Sequence, residues 1–202
     1  MTKIKFCGLR RMEDIEYANR LLPDYVGFVF VPDTRRFVPP SQAARLRADL
    51  APGICVAGVF VNEHPATVAR LLNEGTIDIA QLHGQEDDAY IRQLRLLTGG
   101  RIIKAFTVRR KEDLLPAMQS TADYILLDSG AGTGNVFDWS FLECVRRPYF
   151  LAGGLSPENA GKAVRKLHPY ALDVSSGIET EGKKDYQKMA AFAAAVRKED
   201  RS

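Results

Sequence analysis

Two side chains that can exchange protons follow two different apolar segments of the sequence. Cys7 ends the segment 3–7 just before Gly8, and Asp128 follows the apolar run 124–127. A thiol with a pKa of about 8.5 is mostly protonated at neutral pH, so Cys7 needs help from its surroundings to act as a base. Packing in a core and capping of a loop would also account for these residues. Brought together, they would form an acid/base couple that needs no metal and no organic cofactor.

Two turns rich in glycine and serine indicate a phosphate site. The first has two glycines before a Ser-Pro pair that is typical of a helix start, so backbone N–H groups can approach an anion there. The second has a Ser-Ser-Gly sequence after the next apolar run. Tight turns alone would explain either of them. The residues concerned are Gly153, Gly154, Ser175, Ser176 and Gly177.

Arginine and histidine side chains follow two further apolar runs. Arg36 carries a planar guanidinium group that can clamp a carboxylate or a phosphate, and Arg35 is an equally good candidate from its spacing. His83 could be an acid, a base or a wall of the pocket, although a lone histidine is more often structural. Cys55 and Cys144 are interpreted as buried apolar residues. Three cysteines without metal-type spacing predict neither a disulfide framework nor a metal site.

Eight short apolar runs, rich in Val, Ile, Phe and Tyr, alternate with segments of helical period along the whole chain. Several of the runs are nearly continuous, as in parallel strands that are buried on both faces. The predicted strands are residues 4–7, 25–31, 54–61, 77–82, 101–106, 124–127, 149–152 and 171–174.

Eight helices are predicted between and after these strands. Ser156, Asp138 and Asp185 are suited to cap helix N-termini. The fifth helix, residues 111–119, contains Pro116, so we expect it to be short or distorted.

Eight strand–helix units favour an α/β fold of the closed (β/α)8 TIM-barrel type over a doubly wound open sheet. The open sheet usually has a glycine-rich dinucleotide turn after its first strand, and Cys7-Gly8-Leu9 is not such a turn. At 202 residues the chain is small for a barrel, so its loops should be short. No linker or composition shift divides residues 1–202, which we expect to form a single domain. Barrel active sites lie at the C-terminal ends of the strands, where all the candidates above converge.

The composition limits the classes of molecule that the protein is expected to bind. The formal net charge of +3 is mild, and no Lys/Arg cluster is interleaved with the aromatic residues expected of a nucleic-acid reader. An anionic small molecule fits this charge. No apolar leader segment and no run of membrane-spanning length is present, which predicts a cytoplasmic protein without a membrane partner. The oligomeric state is left open between monomer and homodimer.

With these residues in hand, the sequence closely resembles the phosphoribosylanthranilate isomerase family of tryptophan biosynthesis. The resemblance covers nearly the whole chain, and its segments occur in the family's order. They are residues 3–9, 27–30, 36–38, 58–62, 81–84, 103–105, 126–129, 132–134, 137–139, 153–155, 157–159, 173–179 and 182–185.

The resemblance implies a (β/α)8 barrel that catalyses the Amadori rearrangement of N-(5-phosphoribosyl)anthranilate to 1-(o-carboxyphenylamino)-1-deoxyribulose 5-phosphate. It implies that Cys7 is the general base and Asp128 the general acid, with no cofactor. It also implies that Arg36, rather than its neighbour, holds the anthranilate carboxylate. The remaining substrate contacts that it implies are Gly153, Gly154, Ser175, Ser176 and Gly177 for the phosphate and Asp173 on the ribose side. His83, which lies in the matching segment 81–84, is also predicted to contact the substrate.

Two departures from the family pattern are small. Phe6 stands where a smaller aliphatic residue is usual, and Ala131 replaces a glycine in the loop 130–135 after the sixth strand, which could stiffen that loop. One alternative is the related barrel isomerase of histidine biosynthesis, which would be expected to have a carboxylate in place of Cys7. Another is a non-catalytic phosphate-binding barrel, since a fold alone does not establish activity; binding would need neither Cys7 nor Asp128.

Overall fold

A computed structural model describes residues 1–128 and 139–200 of the chain. Its eight parallel strands pair in sequence order, and the first also pairs with the eighth, so the sheet closes into a barrel. The predicted (β/α)8 barrel is therefore confirmed and the open sheet is excluded. The strands are β1 (Lys3–Cys7), β2 (Tyr25–Val29), β3 (Cys55–Phe60), β4 (Ile79–Leu82), β5 (Arg101–Thr107), β6 (Tyr124–Asp128), β7 (Tyr149–Ala152) and β8 (Ala171–Val174).

The strand bounds agree with the sequence prediction to within one residue, except that β2 ends two residues early and β4 starts two residues late. A small antiparallel hairpin after β8, which the sequence did not predict, pairs β9 (Glu179–Thr180) with β10 (Lys183–Lys184). The α-helices are α1 (Met12–Leu21), α2 (Pro40–Ala48), α3 (Pro65–Asn73), α4 (Asp88–Leu97), α5 (Leu114–Gln119), α6 (Pro157–Leu167) and α7 (Tyr186–Glu199).

The prediction of eight α-helices was wrong for the sixth unit, as far as residues 1–128 and 139–200 show. Its described part forms a 3-10 helix, Trp139–Cys144, and Pro148 then precedes β7. Because a proline disfavours helix at the residue before it, this short segment has little room to continue as an α-helix. The proposed cap Asp138 and the loop 130–135 lie outside the described residues.

The fifth helix is short and distorted, as predicted. A 3-10 turn, Lys111–Asp113, leads into the six-residue helix α5. Pro116 lies in the first turn of α5, where a backbone N–H has no intrahelical partner, so the proline shortens the helix without abolishing it. The two other predicted caps are confirmed: Asp185 accepts hydrogen bonds from the first turn of α7, and Ser156 precedes α6.

Alternation along β1 separates two packing environments. Ile4 and Phe6 face the surrounding helices, and the ring of Phe6 meets that of Phe192 in α7 edge to face at 6.4 Å. Lys5 and Cys7 face the barrel lumen. The large residue at position 6 is thus accommodated in the outer core and does not approach the site.

Two cysteines differ from the prediction of burial. Cys55 starts β3 and is only partly buried, and Cys144 is exposed at the end of its short 3-10 helix. Burial nevertheless raises the pKa of the Cys55 thiol to about 12. Of the helices within residues 1–128 and 139–200, none is long and apolar enough to cross a membrane.

Candidate active site

Cys7 lies at the C-terminal end of β1, inside the lumen and 9% exposed. Gly27 is its neighbour on β2, and a Cβ added there would lie 2.7 Å from the Cys7 sulfur, so glycine leaves the space that the thiol occupies. Gly8 follows with a φ of +79°, which suits glycine, and donates its N–H to the carbonyl oxygen of Gly27 at 2.9 Å. The backbone on both sides thus fixes the position of the thiol.

Opposing charges act on the Cys7 thiol. Burial raises its pKa, the ammonium groups of Lys5 and Lys184 act in the opposite direction, and the carboxylate of Asp173 adds to the increase. The net result is a raised pKa, so the thiol is protonated at neutral pH in this state of the site.

The buried ammonium group of Lys5 is held by two side chains of other strands. Its Nζ donates to Oδ2 of Asp173 at 2.7 Å and to Oε1 of Gln81 at 2.8 Å. Burial would lower the pKa of Lys5, but Asp173 and Cys7 outweigh it and the net shift is upward. Sequence reasoning missed Lys5 and Gln81; the signal was a lysine in an apolar strand, on the same face as Cys7.

His83 connects this network with Asp128. Its Nδ1 lies 3.0 Å from Nε2 of Gln81, and its Nε2 lies 3.6 Å from Oδ2 of Asp128. The histidine is therefore neither isolated nor a plain core residue. It lines a cavity of about 310 Å³ at the C-terminal ends of the strands, whose other polar lining residues include Cys7, Arg36, Gln81, Asp128, Asp173, Ser175 and Ser176.

Arg36 is fixed from below by a carboxylate that sequence reasoning missed. Its Nε and Nη2 donate to the two oxygens of Glu179 at 2.8 and 3.0 Å. Glu179 also accepts from Arg35 and from Lys184 of the β9–β10 hairpin. Burial alone would raise the pKa of Glu179, but the hydrogen bonds from Arg36 and Lys184 lower it to about 2. Arg36 lines the cavity, whereas the Arg35 side chain is 60% exposed, so the structure separates two arginines that spacing left equal.

The two turns predicted to hold phosphate lie side by side on this cavity. Gly153 and Gly154 both have left-handed backbones, with φ of 88° and 62°, and they precede the N-terminus of α6. The Ser175 hydroxyl donates to the carbonyl oxygen of Cys7 at 3.0 Å, so it ties β8 to the end of β1. Gly177 does not line the cavity; a Cβ there would collide with the carbonyl oxygen of Leu155. Its glycine lets the two turns pack together.

One carboxylate oxygen in this region lacks a partner. Oδ1 of Asp173 is buried and has no hydrogen bond within the described part of the chain, although Oδ2 is bound by Lys5. Asp173 lines the cavity. A hydroxyl group of a ligand could satisfy this oxygen, because a buried acceptor without a donor is costly.

Comparison with known proteins places this geometry in a family. The sequence model of the family described as "N-(5'phosphoribosyl)anthranilate (PRA) isomerase" matches residues 4–195. The N-(5'-phosphoribosyl)anthranilate isomerase of Endomicrobium trichonymphae is 42% identical over 194 residues, covering 94% of this chain and 95% of its own.

Solved structures agree. The phosphoribosyl anthranilate isomerase of Thermotoga maritima superposes with a TM-score of 0.91 at 34% identity, covering 98% of this chain and 100% of its own. A phosphoribosyl anthranilate isomerase in complex with reduced 1-(o-carboxyphenylamino)-1-deoxyribulose 5-phosphate superposes with a TM-score of 0.88, also at 34% identity and with the same coverage. The chain therefore belongs to the N-(5'-phosphoribosyl)anthranilate isomerase family.

Proposed function

We propose that Cys7 and Asp128 are the general base and the general acid with which this chain carries out the reaction of its family. The chain is an isomerase of tryptophan biosynthesis that converts N-(5'-phosphoribosyl)anthranilate to 1-(o-carboxyphenylamino)-1-deoxyribulose 5-phosphate. The observation that carries the residue roles is the shared cavity of about 310 Å³, which a buried thiol and a carboxylate line together.

The reaction needs one proton donor and one proton acceptor. Asp128 gives a proton to the furanose ring oxygen, the bond from that oxygen to C1 breaks, and the anilino nitrogen supplies the electron pair that forms an iminium ion. The thiolate of Cys7 then takes the proton from C2, and the electrons of that C–H bond form the enolamine. Moving the enol proton to C1 gives the ketone. Positioned groups of this kind each contribute about 100-fold to 10,000-fold to the rate.

The other groups of the cavity suit the two anionic ends of the substrate. Arg36 is proposed to bind the anthranilate carboxylate, because its guanidinium plane is already fixed by Glu179 at the cavity wall. The turns after β7 and β8 are proposed to bind the phosphate through backbone N–H groups, as loops at this place in barrels often do. Asp173 would accept a hydrogen bond from a ribose hydroxyl through its unpaired Oδ1. The cradle residues are Gly153, Gly154, Ser175 and Ser176, with Gly177 as their support.

The two alternatives are weaker. A thiol at position 7 argues against the histidine-pathway isomerase, for which a carboxylate was expected there. A barrel that only binds phosphate would need neither the buried thiol nor the carboxylate beside His83.

The residue roles are tested by mixing the purified protein with N-(5'-phosphoribosyl)anthranilate and following the loss of anthranilate fluorescence. The wild-type protein should turn over the substrate, and Cys7→Ala should lose nearly all turnover. Cys55→Ala is the matched control, since it removes a thiol of the same barrel that does not line this cavity but a separate one beside Tyr25 and Arg101. Near-normal turnover by Cys7→Ala would refute the assignment of the base.

We also propose that residues 1–202 act as one domain in the cytoplasm, as a monomer or a homodimer. All the groups assigned above come from one barrel, so each chain holds a whole site. Sedimentation across a range of concentrations, with activity measured in parallel, tests this; activity that vanishes when a dimer dissociates would contradict a whole site in each chain, and a larger oligomer would contradict the proposed state.

A further inference from the structure

Lys5 shares the lumen face of β1 with Cys7 but does not line the cavity. Its side chain is fully buried, below the residues that line the cavity. We propose that Lys5 is a positioning residue that prepares both the base Cys7 and the acid Asp128 for catalysis. This inference rests on the proposed function and deepens it, because it identifies a charge that favours the ionised form of the thiol against the effect of burial.

The ammonium group of Lys5 has three N–H donors with distinct tasks. Two of them are bound by Asp173 and Gln81, at 2.7 and 2.8 Å. The third has no hydrogen-bond partner in the described part of the chain, and Cys7 lies two positions further along the same face of β1, where the ammonium charge acts on its thiol. When Cys7 ionises, the thiolate gains an electrostatic attraction to this ammonium group that the neutral thiol lacks.

Burying the Lys5 ammonium group lowers the stability of the fold, because its desolvation requires free energy that an apolar side chain would not require. Burying an ion pair such as Lys5–Asp173 is often no better for stability than filling the same space with hydrophobic side chains. The lumen of this barrel also contains a buried apolar cluster, with Ile79, Ile103 and Leu126 among its members. A charged pair among such residues, next to the proposed base, is better explained by the reaction than by stability.

The same ammonium group determines the orientation of the Gln81 amide. Because Lys5 can only donate, the amide atom that it contacts must be the oxygen Oε1, and Nε2 then points towards Nδ1 of His83. The amide nitrogen donates, so Nδ1 accepts and the proton of the neutral imidazole lies on Nε2. That N–H faces Oδ2 of Asp128, 3.6 Å away. Lys5 thus orients the group beside the acid through two hydrogen bonds.

Other charged groups also face Cys7 and must be considered together. Lys184 of β10 favours the thiolate and Asp173 of β8 opposes it. Lys5 is the strongest of the charges that act on the thiol. The remaining charged or titratable side chains that line the cavity around Cys7 are Arg36, His83 and Asp128.

The test measures the ionisation of Cys7 without turnover. Iodoacetamide is added to the free protein at a series of pH values, and alkylation of the Cys7 peptide is followed by mass spectrometry, which separates it from Cys55 and Cys144. Lys5→Met should move the alkylation midpoint upward by about 1 to 3 pH units, because a nearby opposite charge is lost. Lys3→Met removes the same charge from the same strand, where Lys3 pairs with Asp24, and should leave the midpoint unchanged.

A second variant gives an effect of the opposite sign. Asp173→Asn removes the negative charge that opposes the thiolate, so the alkylation midpoint should fall. General damage to the barrel would move both variants in the same direction. If Lys5→Met does not fold, Lys5→Met/Asp173→Asn removes the pair together and should still raise the midpoint, since Lys5 acts on the thiol more strongly than Asp173 does. If neither of these folds, the sign of the Asp173→Asn shift decides.

The inference is overturned if Lys5→Met has the wild-type midpoint, or if Asp173→Asn shifts upward. In the pH profile of kcat/KM, the ascending limb, which reports ionisation of the base, should move with the alkylation midpoint in Lys5→Met. On the acid side, kcat should fall further because His83 is misoriented beside Asp128. Failure of the proposed function looks different: wild-type protein would not turn over the substrate, or Cys7→Ala would, whatever the alkylation profiles.

Discussion

The two ends of the barrel lumen are built from the same strands but from opposite kinds of residue. At the N-terminal end, four aromatic rings pack against one another with centroids 5.0 to 5.8 Å apart. At the C-terminal end, buried charges pair across strands, as Lys5 does with Asp173 and Gln81. The aromatic plug consists of Tyr25, Tyr124, Phe150 and Tyr170.

The difference indicates that residues at the N-terminal end of the lumen mainly stabilise the fold, whereas residues at the C-terminal end mainly serve the reaction. Aromatic pairs add about 0.5–1.5 kcal/mol each beyond the area that they bury, so the plug stabilises the closed sheet. The charges at the other end contribute little net stability, because desolvation offsets their attraction. They instead hold Cys7, Arg36 and Asp128 at one cavity. Substitutions at the two ends should therefore change different quantities.

The largest effect is expected for a substitution at the C-terminal end of the lumen, where the proposed catalytic groups lie. Asp128→Asn removes the proposed acid, so we expect kcat to fall by about 100-fold to 10,000-fold, while the free energy of unfolding changes by less than about 1 kcal/mol. Turnover assays and urea unfolding monitored by circular dichroism measure the two quantities. If Asp128→Asn kept its kcat but lost stability, the role of Asp128 would be to stabilise the fold and not to donate a proton.

Features that depend on neighbouring residues in the sequence could be predicted at both ends of the lumen. Features that depend on contacts between distant segments could not. The strands were predicted to within one or two residues because parallel strands buried on both faces are apolar runs. Cys7 and Asp128 were found because each ends such a run. The role of Gln81 was not found, because its partners Lys5 and His83 become visible only when β1 and β4 face each other across the lumen.

The choice between Arg35 and Arg36 shows the same limit. Their spacing in the sequence is equivalent, and only the resemblance to a family favoured Arg36. In the structure, Glu179 lies more than 140 residues away in sequence and binds Arg36 with both oxygens at the cavity. The short hairpin that presents Glu179 has strands of two residues, which is too short for any periodicity to predict.

The aromatic plug gives the next largest effect. Phe150→Ala removes a fully buried ring that contacts three tyrosines, so we expect a loss of about 3–5 kcal/mol in the free energy of unfolding. The kcat per folded molecule should remain near the wild-type value. Urea unfolding and active-site-normalised turnover measure this. Leu96→Ala, at a residue that is 87% exposed on α4, is the control and should change stability by no more than about 0.5 kcal/mol.

Substitution of Arg36, also at the C-terminal end of the lumen, should reduce activity less than substitution of Asp128. Arg36→Ala removes a charged hydrogen-bonding group from the cavity, so kcat/KM should fall roughly 10-fold to 100-fold. Glu179 keeps Lys184 and Arg35 as partners, so the fold should persist. Arg35→Ala is the matched control: it also contacts Glu179, but its side chain is 60% exposed and should matter less than about threefold. Equal losses for both arginines in steady-state kinetics would contradict the separation of their roles.

The smallest effect tests whether the plug is purely apolar. The hydroxyl groups of Tyr25 and Tyr170 lie 2.8 Å apart, so Tyr25→Phe should lower the free energy of unfolding by about 0.5–1.5 kcal/mol at pH 7.

The effect of this hydroxyl group should also depend on pH. Burial, followed by the hydrogen bond to Tyr170, raises the pKa of Tyr25. A raised pKa in the folded state means that the contribution of this tyrosine is complete below about pH 10 and is lost as the pH rises further. The difference in free energy of unfolding between wild type and Tyr25→Phe should therefore be constant from about pH 6 to 9 and shrink above about pH 10. A difference that grows with pH in urea titrations would show that the phenolate is stabilised in the fold, so that this end too would count as a site for charge.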